Sequence, residues 1–286
     1  KEKFRPTFEK ELFKNIDEQN YTKDGIDTYL DQQLNEFVDK VYISTYLGVK
    51  KNYLSFIKKK LSKNITMKYV LKKNSTTIEK GRYIDDYSNK KLIGIYKLND
   101  SFIDSKAEKK VIKSIKKIPK KSLVLSFDYG HGFFTKKIIK ELSKKNNCFK
   151  STNVQLNSSS IGYHSIESYA KSNMLCMNEL ELRHDLRDRN GEIKLLVKKI
   201  SKKNSSKYYL ITRGKDGVLL FNKKKNKFFK APAFANQIND KVGAGDSMIP
   251  IISLCLMANI DEDISLLLGS IFSAESIKHE ANNFKM

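Results

Sequence analysis

Asp240-Lys241-Val242-Gly243-Ala244-Gly245-Asp246-Ser247-Met248 runs straight into an apolar stretch, residues 248–260, and this junction constrains the architecture more than any other part of the chain. Gly243 and Gly245 carry no Cβ, so the backbone can turn sharply and its amides can approach a ligand closely. If the apolar stretch is a helix, the amides of Gly243, Ala244 and Gly245 lie at its N-terminus. Unpaired N–H groups and the helix dipole favour an anion there. Asp246, in the first turn, faces the same spot. A carboxylate beside an anion hole suits phosphoryl transfer to an alcohol, because the acid takes the hydroxyl proton and the amides hold charge on the moving group. The same string also fits an ordinary helix start with an acid in its first turn.

Upstream, strands and helices alternate from residue 102. Helices are expected at 107–118, 134–142, 166–170, 180–186 and 193–200, with strands at 123–127, 154–156, 174–177, 208–212 and 218–221. Residues 228–232 lead back to Asp240, and two further helices are expected at 264–268 and 271–277. This rhythm predicts an α/β chain with a mainly parallel central sheet wrapped by helices. Ligands in such sheets gather beyond the carboxyl ends of the strands. The informative strings fall there: Asp128-Tyr129-Gly130-His131-Gly132, Asn153-Val154-Gln155-Leu156-Asn157 with Gly162-Tyr163, Asn178-Glu179-Leu180-Glu181, and Thr212-Arg213-Gly214-Lys215-Asp216-Gly217. Pro250 removes an N–H inside the helix after Asp246, so a kink is expected.

Nearer the N-terminus, a helix is expected at 29–37, a strand at 41–45, a helix at 53–61 and a strand at 67–71. Residues 76–84 and 91–98 alternate in period two around the turn Asp85-Asp86-Tyr87-Ser88-Asn89, which signals a hairpin. No local helix covers it, so one face is expected to close over something. Lys80 and Arg82 sit two residues apart on one strand face. They suit an anionic substrate group, or equally a basic edge strand guarded against aggregation.

Lys and Arg number 55 against 32 Asp and Glu, a formal charge of +23. The lysines occur in short runs everywhere rather than on one stripe, which favours a solvated surface over a nucleic-acid face. Cys148, Cys176 and Cys255 are isolated and read as buried thiols of a reducing compartment, so a cytoplasmic location is expected. No apolar run is long enough to span a membrane. Lys1, not Met, stands first, as in a chain taken from inside a longer one.

The string Asp240-x-Val-Gly-Ala-Gly-Asp-Ser resembles the C-terminal signature of the ribokinase-like (PfkB) sugar kinases, whose last Asp is the catalytic base. Thr77-Ile78-Glu79-Lys80-x-Arg82-Tyr83, the Asp-Tyr-Gly-x-Gly at 128–132 and the Asn-x-Gln-x-Asn at 153–157 are similar to the branch that acts on phosphorylated heptoses. The resemblance spans roughly residues 25–283 and implies a three-layer α/β fold with a small β-lid. One domain is implied over residues 1–286, with lid segments near 1–24 and 74–100. Asp246 is then the base, with Gly243, Ala244 and Gly245 as the anion hole. Asn178, Thr212, Gly214, Gly217 and Ser270 serve ATP, and Glu181 serves Mg²⁺. Gly25, Lys80, Arg82 and Asp128 lie on the side of the sugar or sugar phosphate. A fused nucleotidyltransferase domain and a homodimer formed through the lid belong to the same implication. Departures count too: no strand ending in Gly-Asp precedes Gly25, Ile26 replaces the second glycine of a pair, and Ser270 stands where ribokinases often have Asn. Alternatives are a kinase of the same fold for a nucleoside or fructose phosphate, a non-catalytic relic, and, on charge alone, a nucleic-acid binder.

Overall fold

The computed structural model describes residues 38–50, 53–61, 63–84, 91–155, 166–169, 171–234 and 244–277. The helix expected at 29–37, lid segment 1–24, Gly25, the turn at 85–89, Asn157, Gly162, Tyr163 and residues 240–243 lie outside them. In chain order come β1 (Val41–Lys50), α1 (Leu54–Lys60) and β2 (Ile65–Thr76), the two strands pairing in parallel. Strands β3 (Glu79–Ile84) and β4 (Lys91–Lys97) then form their own antiparallel two-stranded sheet. The remainder alternates: α2 (Ser105–Lys116), β5 (Leu123–Asp128), α3 (Lys136–Ser143), β6 (Phe149–Val154), a 3₁₀ turn at Ile166–Tyr169 and β7 (Met174–Asn178). After these come α4 (Glu179–Leu186), α5 (Ile193–Lys203), β8 (Tyr208–Thr212), β9 (Val218–Asn222), β10 (Lys227–Ala231), α6 (Ala244–Met257) and α7 (Glu262–Ser276).

The central sheet has the order β10-β9-β8-β7-β6-β5. Strands β5 to β8 are mutually parallel, and β9 and β10 are antiparallel additions at one edge. Strand residues alternate between the two faces, and the buried clusters follow that alternation. Leu175, Met177, Tyr209, Ile211, Leu219 and Phe221 pack with Leu182 and Leu186 of α4 and Leu196, Val197 and Ile200 of α5. Their neighbours Met174, Cys176, Tyr208, Leu210, Val218 and Leu220 pack with Met248, Ile249, Ile252 and Leu256 of α6 and Leu266 of α7. Near-continuous apolar strands are what a sheet covered on both faces requires. Each fully buried aliphatic side chain contributes roughly 1.5–3 kcal/mol, so the helix–sheet–helix sandwich is anchored on both sides of β7 and β8.

Several element boundaries differ from expectation. The strand expected at 154–156 is β6, Phe149–Val154, which ends where the expected strand begins. Its interior is polar: Ser151 and Thr152 are buried, and their hydroxyls lie 2.7 Å from those of Ser253 and Ser172. Side-chain partners replace apolar character there, so hydrophobic periodicity misses the strand. The two helices expected at 264–268 and 271–277 are one, α7, because nothing between them breaks a helix except Gly269, which packs against Ile252. The helix expected at 166–170 is the short 3₁₀ turn at Ile166–Tyr169. The hairpin begins at Glu79 rather than 76, since Thr76 closes β2. Helix α6 continues through Pro250 to Met257. Proline has no N–H to return to the fourth residue back, so the carbonyl of Asp246 lacks its usual helical donor. Among the described residues no helix is long and apolar enough to cross a membrane.

Candidate active site

The parallel strands deliver their informative strings to one end of the sheet. Asp128 ends β5, Asn178 ends β7 and Thr212 ends β8. Asp246 meets them from the first turn of α6, whose apolar face is seated on the sheet by Met248, Ile249 and Ile252. A helix of this length, Ala244–Met257, directs its positive dipole end at that spot. A Cβ added at Gly245 would meet nothing within 4 Å, so the N-terminal face there is open.

Asp246 is tied across the site. The Tyr129 hydroxyl donates to Asp246 Oδ2 at 3.0 Å. Lys80, reaching over from β3, holds its ammonium 5.3 Å from the centre of the Tyr129 ring and 6.0 Å from that of Tyr96. Burial raises the Asp246 pKa above the ordinary carboxylate value; the Tyr129 hydrogen bond and the Lys80 charge pull it back without cancelling the rise. The Tyr129 phenol is pushed up by burial and by the Asp246 charge and hydrogen bond, so it stays a donor. The Cys176 thiol, on β7, is likewise raised by burial and then by Glu181 and Asp246, which places both carboxylates within electrostatic reach of one sulfur.

Asp128 is buried, accepting the Gly130 amide at 2.9 Å and the Tyr169 hydroxyl. It shapes the loop that carries Tyr129. Asn178 and Glu181 form a capping box: Asn178 Oδ1 accepts the Glu181 amide at 2.8 Å, and Glu181 Oε2 accepts the Asn178 amide at 2.7 Å. Helix capping alone therefore explains their spacing. The strings at 178–181 and 212–217 are joined by a network the sequence did not reveal, in which Glu179 Oε2 accepts from Arg213 at 2.8 Å and Glu179 Oε1 from Arg183 at 2.7 Å. Burial raises the Glu179 pKa, but the hydrogen bonds from Arg213 and Arg183 prevail and hold it below the usual range.

In the turn between β8 and β9, Gly217 has φ +76° and an added Cβ would lie 2.1 Å from the Ala231 carbonyl oxygen, so glycine is required by the fold. Gly214, at φ +56°, has nothing within 4 Å of an added Cβ and faces open space. Ser270 lies in α7, 3% exposed, with a buried hydroxyl that finds no partner. Gly25 and Gly243 are outside the described residues, and Arg82 is placed by its backbone in β3. Among the described residues no three His, Cys, Asp or Glu side chains cluster as a metal cage.

A mainly parallel sheet between helix layers, with a separate β-hairpin and an acid at a helix N-terminus at the sheet's ligand end, is a ribokinase-like scaffold. The structure matches ribokinase from Giardia lamblia with a TM-score of 0.67 at 15% identity, covering 86% of this chain and 79% of that one. Phosphofructokinase-2 from Escherichia coli gives 0.68 at 11% identity, with 86% and 78% covered. Such identities establish the fold alone. The profile of the pfkB family carbohydrate kinases matches residues 135–285, and the chain belongs to that family. Bifunctional protein HldE of Campylobacter jejuni subsp. doylei is 31% identical over 164 residues, 56% of this chain and 32% of the relative. The protein of the same name from Aliarcobacter butzleri is 27% identical over 245 residues, 76% and 49% respectively. The chain thus spans less than half of each of these curated relatives.

Proposed function

We propose that this domain transfers the γ-phosphoryl group of ATP to a hydroxyl of a sugar phosphate of the heptose type, with Asp246 as the general base. The observation that carries the reading is the position of Asp246 at the N-terminus of α6, hydrogen-bonded to Tyr129 and overlooked by Lys80 from the small sheet. The sugar hydroxyl approaches Asp246, which removes its proton as the oxygen attacks phosphorus. The open amide face at Ala244 and Gly245 holds the charge that builds on the transferred group, and Gly243 is assigned to the same role from the sequence. Thr212, Gly214, Gly217 and Ser270 are assigned to the nucleotide side. Asn178 fixes Glu181, which would meet a phosphate-borne Mg²⁺ through water; that ion's contribution, when bound, is to neutralise phosphate charge. Lys80 and Arg82 are assigned to the substrate's own phosphate. Asp128 holds the loop lining the sugar side, with Gly25 as a further contact.

The HldE relatives are named as bifunctional, and we infer for the whole protein a second activity on a fused domain, a nucleotidyltransferase as the sequence resemblance implies. Asp246→Asn tests the kinase reading. It preserves size and hydrogen bonding but cannot accept the proton, so kcat in the full-length protein should fall by about 10²–10⁴. The KM for ATP should change little, because backbone amides form the anion hole. Normal turnover by the variant would leave Asp246 a helix-start residue. Wild-type protein that binds ATP and phosphorylates no sugar would identify a relic.

A further inference from the structure

We propose that Tyr129 is a positioning residue that couples the small β3–β4 sheet to the base: its hydroxyl orients Asp246 while its ring seats Lys80. The inference rests on Asp246 being the base. One side chain makes both contacts, the hydroxyl at 3.0 Å from Asp246 Oδ2 and the ring centre 5.3 Å from the Lys80 ammonium. A cation over an aromatic face is held by the ring quadrupole, so the contact directs Lys80 toward the site. A hydrogen bond to a carboxylate holds the charged form in one orientation.

The loop that carries Tyr129 is fastened at its other end to β2 and to the segment leaving β4. His131 stacks near the Tyr129 ring at 6.4 Å and joins Asp100 through Nδ1 at 2.8 Å. Lys72, buried, donates to the His131 carbonyl at 3.1 Å and to that of Asn99. The Ile103 amide donates to the Gly132 carbonyl at 3.0 Å. At Gly132, φ is +79° and an added Cβ would stand 2.0 Å from the Ser101 carbonyl oxygen, so the loop and the segment leaving β4 touch backbone to backbone. Lys80 on β3 and residues 99–103 after β4 therefore both grip the loop. The small sheet reaches Tyr129 through Lys80, so its position bears on Tyr129 and, through the Tyr129 hydroxyl, on the orientation of the base.

Among the described residues, the groups facing Asp246 are the Tyr129 phenol from the loop after β5 and the Lys80 ammonium from β3, and the buried Cys176 thiol on β7 feels its charge. The first two favour the carboxylate. Removing either should make Asp246 harder to ionise, so its titration should move to higher pH. The base is then fully prepared only when the small sheet is in place.

The test is a ¹³C-carboxyl NMR titration of Asp246, its signal assigned by its loss in Asp246→Asn. Wild type is compared with Tyr129→Phe, which keeps the ring, and Lys80→Met, which alters an exposed side chain. Both variants are expected to titrate at higher pH than wild type. With ATP and a heptose phosphate, Tyr129→Phe should lose about tenfold or more in kcat, with the acid limb of its pH profile displaced upward and the KM for ATP unchanged. A midpoint unchanged in Tyr129→Phe overturns the proposal, and should that variant fail to fold, an unchanged midpoint in Lys80→Met does so. The titration needs no turnover. An active Asp246→Asn would sink the base reading while the NMR still reports whether the contact exists.

Discussion

Lys80 and Arg82 occupy alternate positions of β3, opposite Tyr96 and Gly94 of β4. Period two puts them on one strand face, and the Lys80 ammonium shows that this face looks toward Tyr129. Arg offers a planar fork that matches phosphate oxygens, whereas Lys acts as a point charge. Arg82→Ala should therefore raise the KM for a phosphorylated sugar by about tenfold or more, the worth of a hydrogen bond to a charged group, and leave the KM for ATP nearly unchanged. Steady-state kinetics with each substrate varied in turn decides it, and equal losses for both would mean that Arg82 only maintains the sheet. The sequence made Asp246 and Lys80 legible because each sits in a local string with its own chemistry. Tyr129 was legible only as part of a glycine-rich turn. Its partner Asp246 lies 117 residues away, a separation that no local pattern can bridge.

At the scale of elements, strands β7, β8 and β9 could be read closely because both of their faces are apolar. Strand β6 could not, since Ser151, Thr152 and Asn153 are polar and buried, and their partners lie on distant segments. Helix α7 looked divided for a related reason. Gly269 suggests a break, yet it is where α7 packs directly against α6. An added Cβ would stand 2.5 Å from Ile252 Cγ1 and 3.1 Å from Met248 Cγ. Overpacking of a filled core costs about 1–3 kcal/mol, offset in part by the better helix propensity of alanine. Gly269→Ala should therefore lower stability, measured by urea denaturation, and displace α7 from α6. Neighbouring Ser247 and Ser276, joined by hydroxyls at 2.9 Å, link the first turn of α6 to the end of α7. A drop in kcat larger than the stability loss explains would show that α7 helps to place Asp246. Unchanged stability would mean that Ile252 has room to yield.

The whole molecule carries +23, a charge that opposes self-association at low ionic strength. The small sheet nevertheless exposes apolar side chains on a two-stranded pair, which cannot bury both of its faces by itself. One face, with Lys80 and Tyr96, looks toward Tyr129. The opposite face follows from the pleat and carries Ile93 and Ile95, which are 55% and 50% exposed. A second copy of the chain, joined through this face, would cover them and brace the sheet over the substrate of each subunit. Sedimentation velocity should then show a dimer in the full-length protein that strengthens as salt screens the like charges. Ile95→Lys should convert it to monomer by removing apolar contact and adding repulsion. If the dimer braces the sheet, the same variant should also raise the KM for the phosphorylated sugar, because Lys80 would be held less firmly above Tyr129. A protein monomeric at every salt concentration and loading would show that the Ile93 and Ile95 face has another purpose.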